Sequence, residues 1–262
     1  MISNSELKQL TAFARKMARE AGGILLKKSR QRHRIMLKGR VDLVTDADLA
    51  SEKYIVGAVS KKFPSHSILA EEEAARDNHS DYRWIIDPLD GTTNFAHDFP
   101  FYCVSIGLEY KGSIVAGVVF DPERDEMFHA CRGGGAFLNR KKIRVSNQSK
   151  LENALLATGF PYDIGNSRED NLNYFRRFAK TARGVRRAGS AALDLCYLAC
   201  GRFDGFWELK LHPWDTAAAK IIVEEAGGIV TDFQGGKYSI YDKYILAGNR
   251  KIHTRMKKIL AE

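Results

Sequence analysis

Near the start of the chain, apolar residues recur at three- and four-residue steps: Leu7, Leu10, Ala14, Met17, Ala18, Ala21 and Leu25. That spacing predicts an amphipathic helix over residues 6–28, with one face buried and the other wet. Ser3 followed by Glu6 is a capping-box pattern at its start. After a short extended stretch, Asp42-Leu43-Val44, a second helix is expected over 47–62. It would bury Ile55, Val56, Val59 and Phe63 on one side and be closed by Pro64.

The period then changes. Residues 84–87, 102–110, 113–120 and 126–130 are rich in β-branched and aromatic side chains and are bounded by glycine, proline and charged turns, which predicts strands. Helical spacing returns at 170–182, 191–199 and 216–226, interleaved with short strands at 206–209, 229–232 and 244–247. Helices and strands alternate in blocks with no repeated βαβ period. The pattern predicts a mixed α/β fold of layered sheets and helices rather than a doubly wound sheet.

Composition narrows the class. A chain of 262 residues can bury a sizeable core, and 44% hydrophobic with 28% charged residues excludes a disordered chain. No apolar run approaches the roughly 20 residues that span a bilayer, and the start lacks the pattern of a secretory signal, so a cytoplasmic location is expected. Cys103, Cys131, Cys196 and Cys200 have no CxxC spacing, which argues against a zinc cluster or a disulfide framework. The formal charge of +9 suits anionic ligands in general. Its clusters, such as Arg140-Lys141-Lys142 and Arg186-Arg187, read as solvated faces. They accompany no helix-turn-helix, zinc-finger or RNP motif, which disfavours specific nucleic-acid binding.

The chemistry concentrates where the strand at 84–87 runs into Asp87-Pro88-Leu89-Asp90-Gly91-Thr92-Thr93-Asn94-Phe95. Pro88 fixes the backbone after Asp87 and Gly91 reaches dihedrals closed to other residues, so the two carboxylates can converge. Amides after Gly91 are placed to hold a phosphate oxygen. Alone, the segment is equally an ordinary acidic turn. Three further positions change the balance: Glu71-Glu72-Glu73 follows the apolar Ile68-Leu69-Ala70, Asp215 follows Trp214 at the opening of a helical run, and Asp48 lies three residues after Thr45. Each has a structural alternative as a solvated cluster, an N-cap or a capping box. Together they form an oxygen-rich set that needs no histidine or cysteine, and that set suits hard Mg2+.

The 87–95 segment, together with Trp214-Asp215-Thr216-Ala217-Ala218 and Glu225-Ala226-Gly227-Gly228, closely resembles the two signature motifs of the inositol monophosphatase family. The resemblance extends from Asp42-Leu43-Val44-Thr45-Asp46-Ala47-Asp48 through Glu71-Glu72 to the second motif, most of the chain. It implies a layered α-β-α-β-α sandwich of the sugar/inositol phosphatase type. It further implies a single domain over 1–262, whose N-terminal part (about 1–145) and C-terminal part (about 146–262) share the active site.

The activity implied is a Mg2+-dependent phosphomonoesterase that hydrolyses myo-inositol monophosphate, with about two or three ions per site. By position, Glu71, Asp87 and the Leu89 carbonyl would hold one ion, Asp87, Asp90 and Asp215 a second, and Glu71 would share in a third. The implied catalytic residues are Glu71, Thr92 and Asp48, the last two orienting the attacking water. Gly91 and Thr92 would offer amides to the phosphate, while Asp90, the Ala191 backbone and Glu208 would meet the rest of the substrate. A small sugar or cyclitol phosphate, a homodimer and lithium sensitivity complete the implication. Two alternatives stand beside it: a dual inositol monophosphatase/fructose-1,6-bisphosphatase, and a nucleic-acid- or protein-binding member with a regulatory role. His212 and Gly133-Gly134-Gly135 read as structural, because the glycine run lacks the helix pattern of a phosphate-binding P-loop.

Overall fold

Ser3 opens helix α1 (Asn4–Ser29) by accepting a hydrogen bond from the Glu6 amide at 3.1 Å. The Glu6 carboxylate accepts from the Tyr82 hydroxyl at 2.6 Å, which ties the helix to the sheet beneath it. The computed structural model describes residues 2–31, 35–37, 43–72 and 75–261; Asp42 and Glu73 lie outside the described residues. A short antiparallel pair, β1 (Ile35–Leu37) and β2 (Leu43–Thr45), leads into α2 (Asp46–Lys62), which is capped by Thr45.

The next run builds a sheet from β3 (Ser67–Ala70), β4 (Ala75–Arg76), β5 (Tyr82–Asp90), β6 (Cys103–Tyr110), β7 (Ser113–Asp121), β8 (Glu126–Cys131), β9 (Gly135–Leu138) and β10 (Lys141–Lys142). Helix α3 (Thr92–Ala96) interrupts it between β5 and β6. Among the described residues the spatial order is β10-β9-β8-β7-β6-β5-β3-β4, antiparallel throughout except for the parallel pair β3–β5. The second sheet holds β11 (Leu155–Thr158), β12 (Gly184–Arg186), β13 (Gly205–Leu209), β14 (Ile229–Thr231) and β15 (Tyr244–Gly248), in the order β12-β11-β13-β15-β14. Its helices are α4 (Leu172–Thr181), α5 (Ala191–Ala199), α6 (Pro213–Glu225) and α7 (Arg250–Ala261).

Packing makes these elements into layers. Helices α1 and α2 cover the outer face of the first sheet, α5 and α6 lie between the sheets, and α4 and α7 cover the far face of the second. Three buried apolar clusters occupy the interfaces of this α-β-α-β-α sandwich. The middle layer is unusually close. A Cβ on Gly117 of β7 would sit 2.2 Å from the Ala218 carbonyl oxygen, so only glycine lets the backbone of α6 lie directly on the sheet. The small residues Thr216, Ala217, Ala218 and Ala219 serve the same contact from the helix side, and all are buried. This approach brings the first turn of α6 to the end of β5.

Several boundaries differ from the sequence expectation, for physical reasons. Strand β5 continues through Pro88 to Asp90 instead of ending at Asp87, because proline is tolerated at the bulge there. Helix α6 starts at Pro213, which suits a first helical position, so Asp215 is its third residue and His212 the N-cap. Helix α4 begins only at Leu172 because Asn171 holds a left-handed φ of 67°. Helix α7 was not anticipated; its Ile252, Met256 and Leu260 recur every fourth residue and are buried. No described helix is long and apolar enough to cross a membrane.

Candidate active site

The site begins with a register shift. Asp87 of β5 pairs with Ser105 of β6 and Asp90 with Cys103, three steps on one strand against two on the other. In an unbroken strand, residues three apart point to opposite faces; the extra residue of a bulge returns them to the same side. Asp87 is 1% exposed, and its Oδ1 accepts the Leu89 amide at 3.0 Å. Parallel β3 sets Ala70 beside Ile86, so Glu71, whose amide donates to the Ile86 carbonyl at 3.2 Å, emerges next to Asp87.

Asp90 is fixed from the other sheet's side. Its Oδ2 accepts from Ser190 Oγ at 2.6 Å and from the Ala192 amide at 2.7 Å, with Cys103 Sγ 3.9 Å away. The Ala191 amide is also directed at Asp90. Burial raises the Asp90 pKa to about 6, and these hydrogen bonds work against the rise. In the first turn of α6, Asp215 Oδ2 accepts the His212 amide at 2.7 Å, while the His212 ring stacks on Trp214 at 4.9 Å. Both the amide and the ring of His212 therefore serve the helix start.

These carboxylates interact across the fold. Burial, then Glu71, Asp90 and Asp215 in turn, push the Asp87 pKa well above the usual carboxylate range. Burial and then Asp90 do the same to Asp215. Acids that raise one another's proton affinity while buried form a site that calls for positive charge. Among the described residues no three His, Cys, Asp or Glu side chains close into a ready-made cage. The donors are all carboxylate or carbonyl oxygens, which fits a hard divalent cation.

Beside them, Gly91, with φ at 102°, turns the chain into α3. The Thr92 hydroxyl lies 3.1 Å from both Asp48 Oδ1 and the Leu89 carbonyl. Asp48 Oδ2 accepts from the Thr45 amide at 2.8 Å and the Thr45 hydroxyl at 2.6 Å. Asp48 is thus a capping residue and a partner of Thr92 at once, and the two readings of it coexist. Asp90, Gly91, Thr92, Ala191, Glu208 and Asp215 lie in the wall of a cleft of about 120 Å³, whereas Glu71, Asp87, Leu89 and Asp48 do not line it.

The model of the inositol monophosphatase family matches residues 6–262. The chain belongs to the inositol monophosphatase family. It is therefore a phosphatase by class. Nus factor SuhB of Pseudomonas aeruginosa is 46% identical over 91% of this chain and 91% of its own length. Inositol-1-monophosphatase of Synechocystis sp. is 42% identical over 100% of this chain and 92% of its own. The crystal structure of extragenic suppressor protein suhB from Bartonella henselae matches with a TM-score of 0.92 at 42% identity, covering 97% of this chain and 99% of that one.

In this member of the inositol monophosphatase family, the far wall of the cleft holds the expected Glu208 and two residues for which the sequence suggested no role, Gly159 and Asp194. Burial and then Asp90 push the Glu208 pKa up to about 8, while Arg187 and the Gly159 amide pull it down. A Cβ on Gly159 would lie 2.0 Å from Glu208 Oε1, so any side chain there would displace the carboxylate. Asp194 also lines the cleft and is buried; its pKa is raised well above normal by burial, then by Glu208 and Asp90. The available signal was a single acid in the apolar run Ala191-Ala192-Leu193-Asp194-Leu195-Cys196. Gly133 and Gly135 donate amides to the Glu225 carboxylate at 2.8 and 2.7 Å, so this glycine turn binds an anion supplied by the chain itself.

Proposed function

We propose that the chain is a Mg2+-dependent phosphomonoesterase that hydrolyses myo-inositol monophosphate to inositol and phosphate. The observation that carries this reading is the mutual influence of Glu71, Asp87, Asp90 and Asp215, carboxylates from three separate segments that raise one another's proton affinity. Glu71, Asp87 and the Leu89 carbonyl would hold one ion, Asp87, Asp90 and Asp215 a second, and Glu71 would share in a third. When bound, magnesium supplies the positive charge that offsets the phosphate dianion, acidifies the attacking water and stabilises the departing alkoxide.

The chain's own residues orient the reactants. Thr45 fixes one oxygen of Asp48, which leaves Oδ1 to receive the Thr92 hydroxyl proton. Thr92 Oγ then presents lone pairs to the cleft and accepts a hydrogen bond from the attacking water, which aligns that water's oxygen on phosphorus. The new bond is P–O from water; the bond that breaks joins phosphorus to the inositol oxygen, which takes up one proton of the consumed water by way of solvent, while the other stays with the released phosphate. The amides of Gly91 and Thr92 would face the phosphate oxygens. Glu208, with the backbone at Ala191 and the free oxygen of Asp90, would receive the ring hydroxyls, and leaving such buried acceptors unpaired would penalise other esters.

In this reading residues 1–262 act as one domain. The part over about 1–145 contributes Glu71, Asp87 and Asp90, and the part over about 146–262 contributes Glu208 and Asp215. The family resemblance also brings a homodimer, inhibition by lithium and a cytoplasmic location into the reading. A dual inositol monophosphatase/fructose-1,6-bisphosphatase is favoured by one observation: the exposed Arg187 lines the cleft and would give a second phosphate a cationic partner. A nucleic-acid or protein-binding role stands beside catalysis because relatives bear the name Nus factor.

Phosphate release from inositol 1-phosphate and from fructose 1,6-bisphosphate, side by side, with Mg2+ and with chelator, tests these readings. The expected result is Mg2+-dependent release with inositol 1-phosphate preferred. Comparable rates on both would establish the dual enzyme, and no release from either would overturn the phosphatase assignment of substrate.

A further inference from the structure

Asp194 is 2% exposed, and its Oδ1 has no hydrogen-bond partner among the described residues. It is the one acid of α5, whose other residues from Ala191 to Ala199 are small, apolar or aromatic. A leucine at this position would pack without leaving an acceptor unpaired, so the carboxylate is not there for stability. Its direction is set by the helix. Asp194 lies three residues after Ala191 and four after the N-cap Ser190, and all three line the cleft. Its charged neighbours are Glu208, Asp90 and Arg187, and Arg187 is exposed to solvent.

We propose that Asp194 is a specificity-determining residue that accepts hydroxyl protons from a polyol substrate alongside Glu208. The inference rests on the phosphatase reading above and extends it to a second acceptor in the hydroxyl-binding wall. Two carboxylates in one wall match a ring with adjacent hydroxyls, each of which donates one proton and leaves no acceptor orphaned. When ionised they also repel a phosphate group. The ester therefore enters with its phosphate toward Gly91 and Thr92 and its hydroxyls toward α5 and β13. An ester without hydroxyls gains nothing at this wall and leaves a buried acceptor unpaired. Sites built to receive hydroxyls discriminate most strongly in that situation.

The test compares kcat/KM for inositol 1-phosphate with that for phenyl phosphate, which lacks hydroxyls, in the wild type, Asp194→Ala and Asp194→Asn. In Asp194→Ala the ratio of the two is expected to fall at least about tenfold, mainly through KM for inositol 1-phosphate. The Tm of this variant is expected to be no lower than that of the wild type, because an unpaired buried acceptor has gone. Asp194→Asn keeps an acceptor oxygen and is expected to lose less. An unchanged ratio, equal losses on both esters with a lowered Tm, or a changed Mg2+ requirement without a changed ratio would each overturn the proposal. If the wild type turns over neither ester, the phosphatase reading fails by itself, and calorimetry with myo-inositol decides the role of Asp194. Binding at least about tenfold weaker in Asp194→Ala upholds it, whereas equal binding, or none by the wild type, overturns it.

Discussion

Replacing Asp90 by Asn is expected to lower kcat for inositol 1-phosphate by about 10³-fold or more, with the fold intact. The substitution keeps the shape of the side chain, and the amide oxygen can still accept from Ser190 Oγ and the Ala192 amide. What it removes is one negative charge at the point where β5, α5 and α6 meet. The loss should therefore fall on turnover rather than on folding. In chelator the variant should melt at or above the wild-type temperature, because burial already opposes the ionised form of Asp90. Turnover within a few-fold of wild type would remove Asp90 from the mechanism, and a collapse of Tm would assign it a structural role.

Magnesium is expected to stabilise the protein, and more so as the pH rises. The relevant groups are the proposed ligands whose folded pKa lies above the unfolded value: Asp90, raised from 3.8 to about 6, and Asp87 and Asp215, both raised well above 3.8. Such groups bind their protons more tightly in the folded state. The stability they contribute without metal is fully present below the unfolded pKa and is lost as pH rises through the folded pKa. Metal-free protein should therefore weaken as the pH rises from about 4 through about 6 and beyond. Magnesium binds the ionised carboxylates and offsets that loss. Thermal denaturation should give a difference in Tm between Mg2+ and chelator that is about 3–8 °C larger at about pH 8 than at about pH 6. A difference that is flat or shrinks with pH would show that the raised acids do not bind the cation.

What the sequence disclosed depends on the range of each interaction. The acids of 87–95 were legible because proline, glycine and the carboxylates act within one turn. Asp48 was legible only in part: the Thr45 cap lies three residues away, whereas its contact with Thr92 spans 44 residues. Ser190 caps α5 through the Leu193 amide three residues on, a local pattern, but its bond to Asp90 crosses 100 residues. Gly159 carried no local signal at all, since its requirement comes from Glu208 on a neighbouring strand. Layering was foreseeable from the alternation of periods and from the family resemblance. The direct seating of α6 on the sheet was not, because it needs Gly117 and Ala218 to meet across the sandwich. Helix α7 escaped notice because its apolar positions are few, and basic residues dominate the rest of its surface.

The central claim is that carboxylates from the turn after β3, from β5 and from α6 gather the cations that hydrolyse the ester. Anomalous scattering from crystals grown with Mn2+ and orthophosphate tests it most directly. The account predicts at least two manganese peaks bounded by Glu71, Asp87, Asp90 and Asp215, with the phosphate facing Gly91 and Thr92. Crystals of active enzyme with manganese absent from that cluster would contradict it.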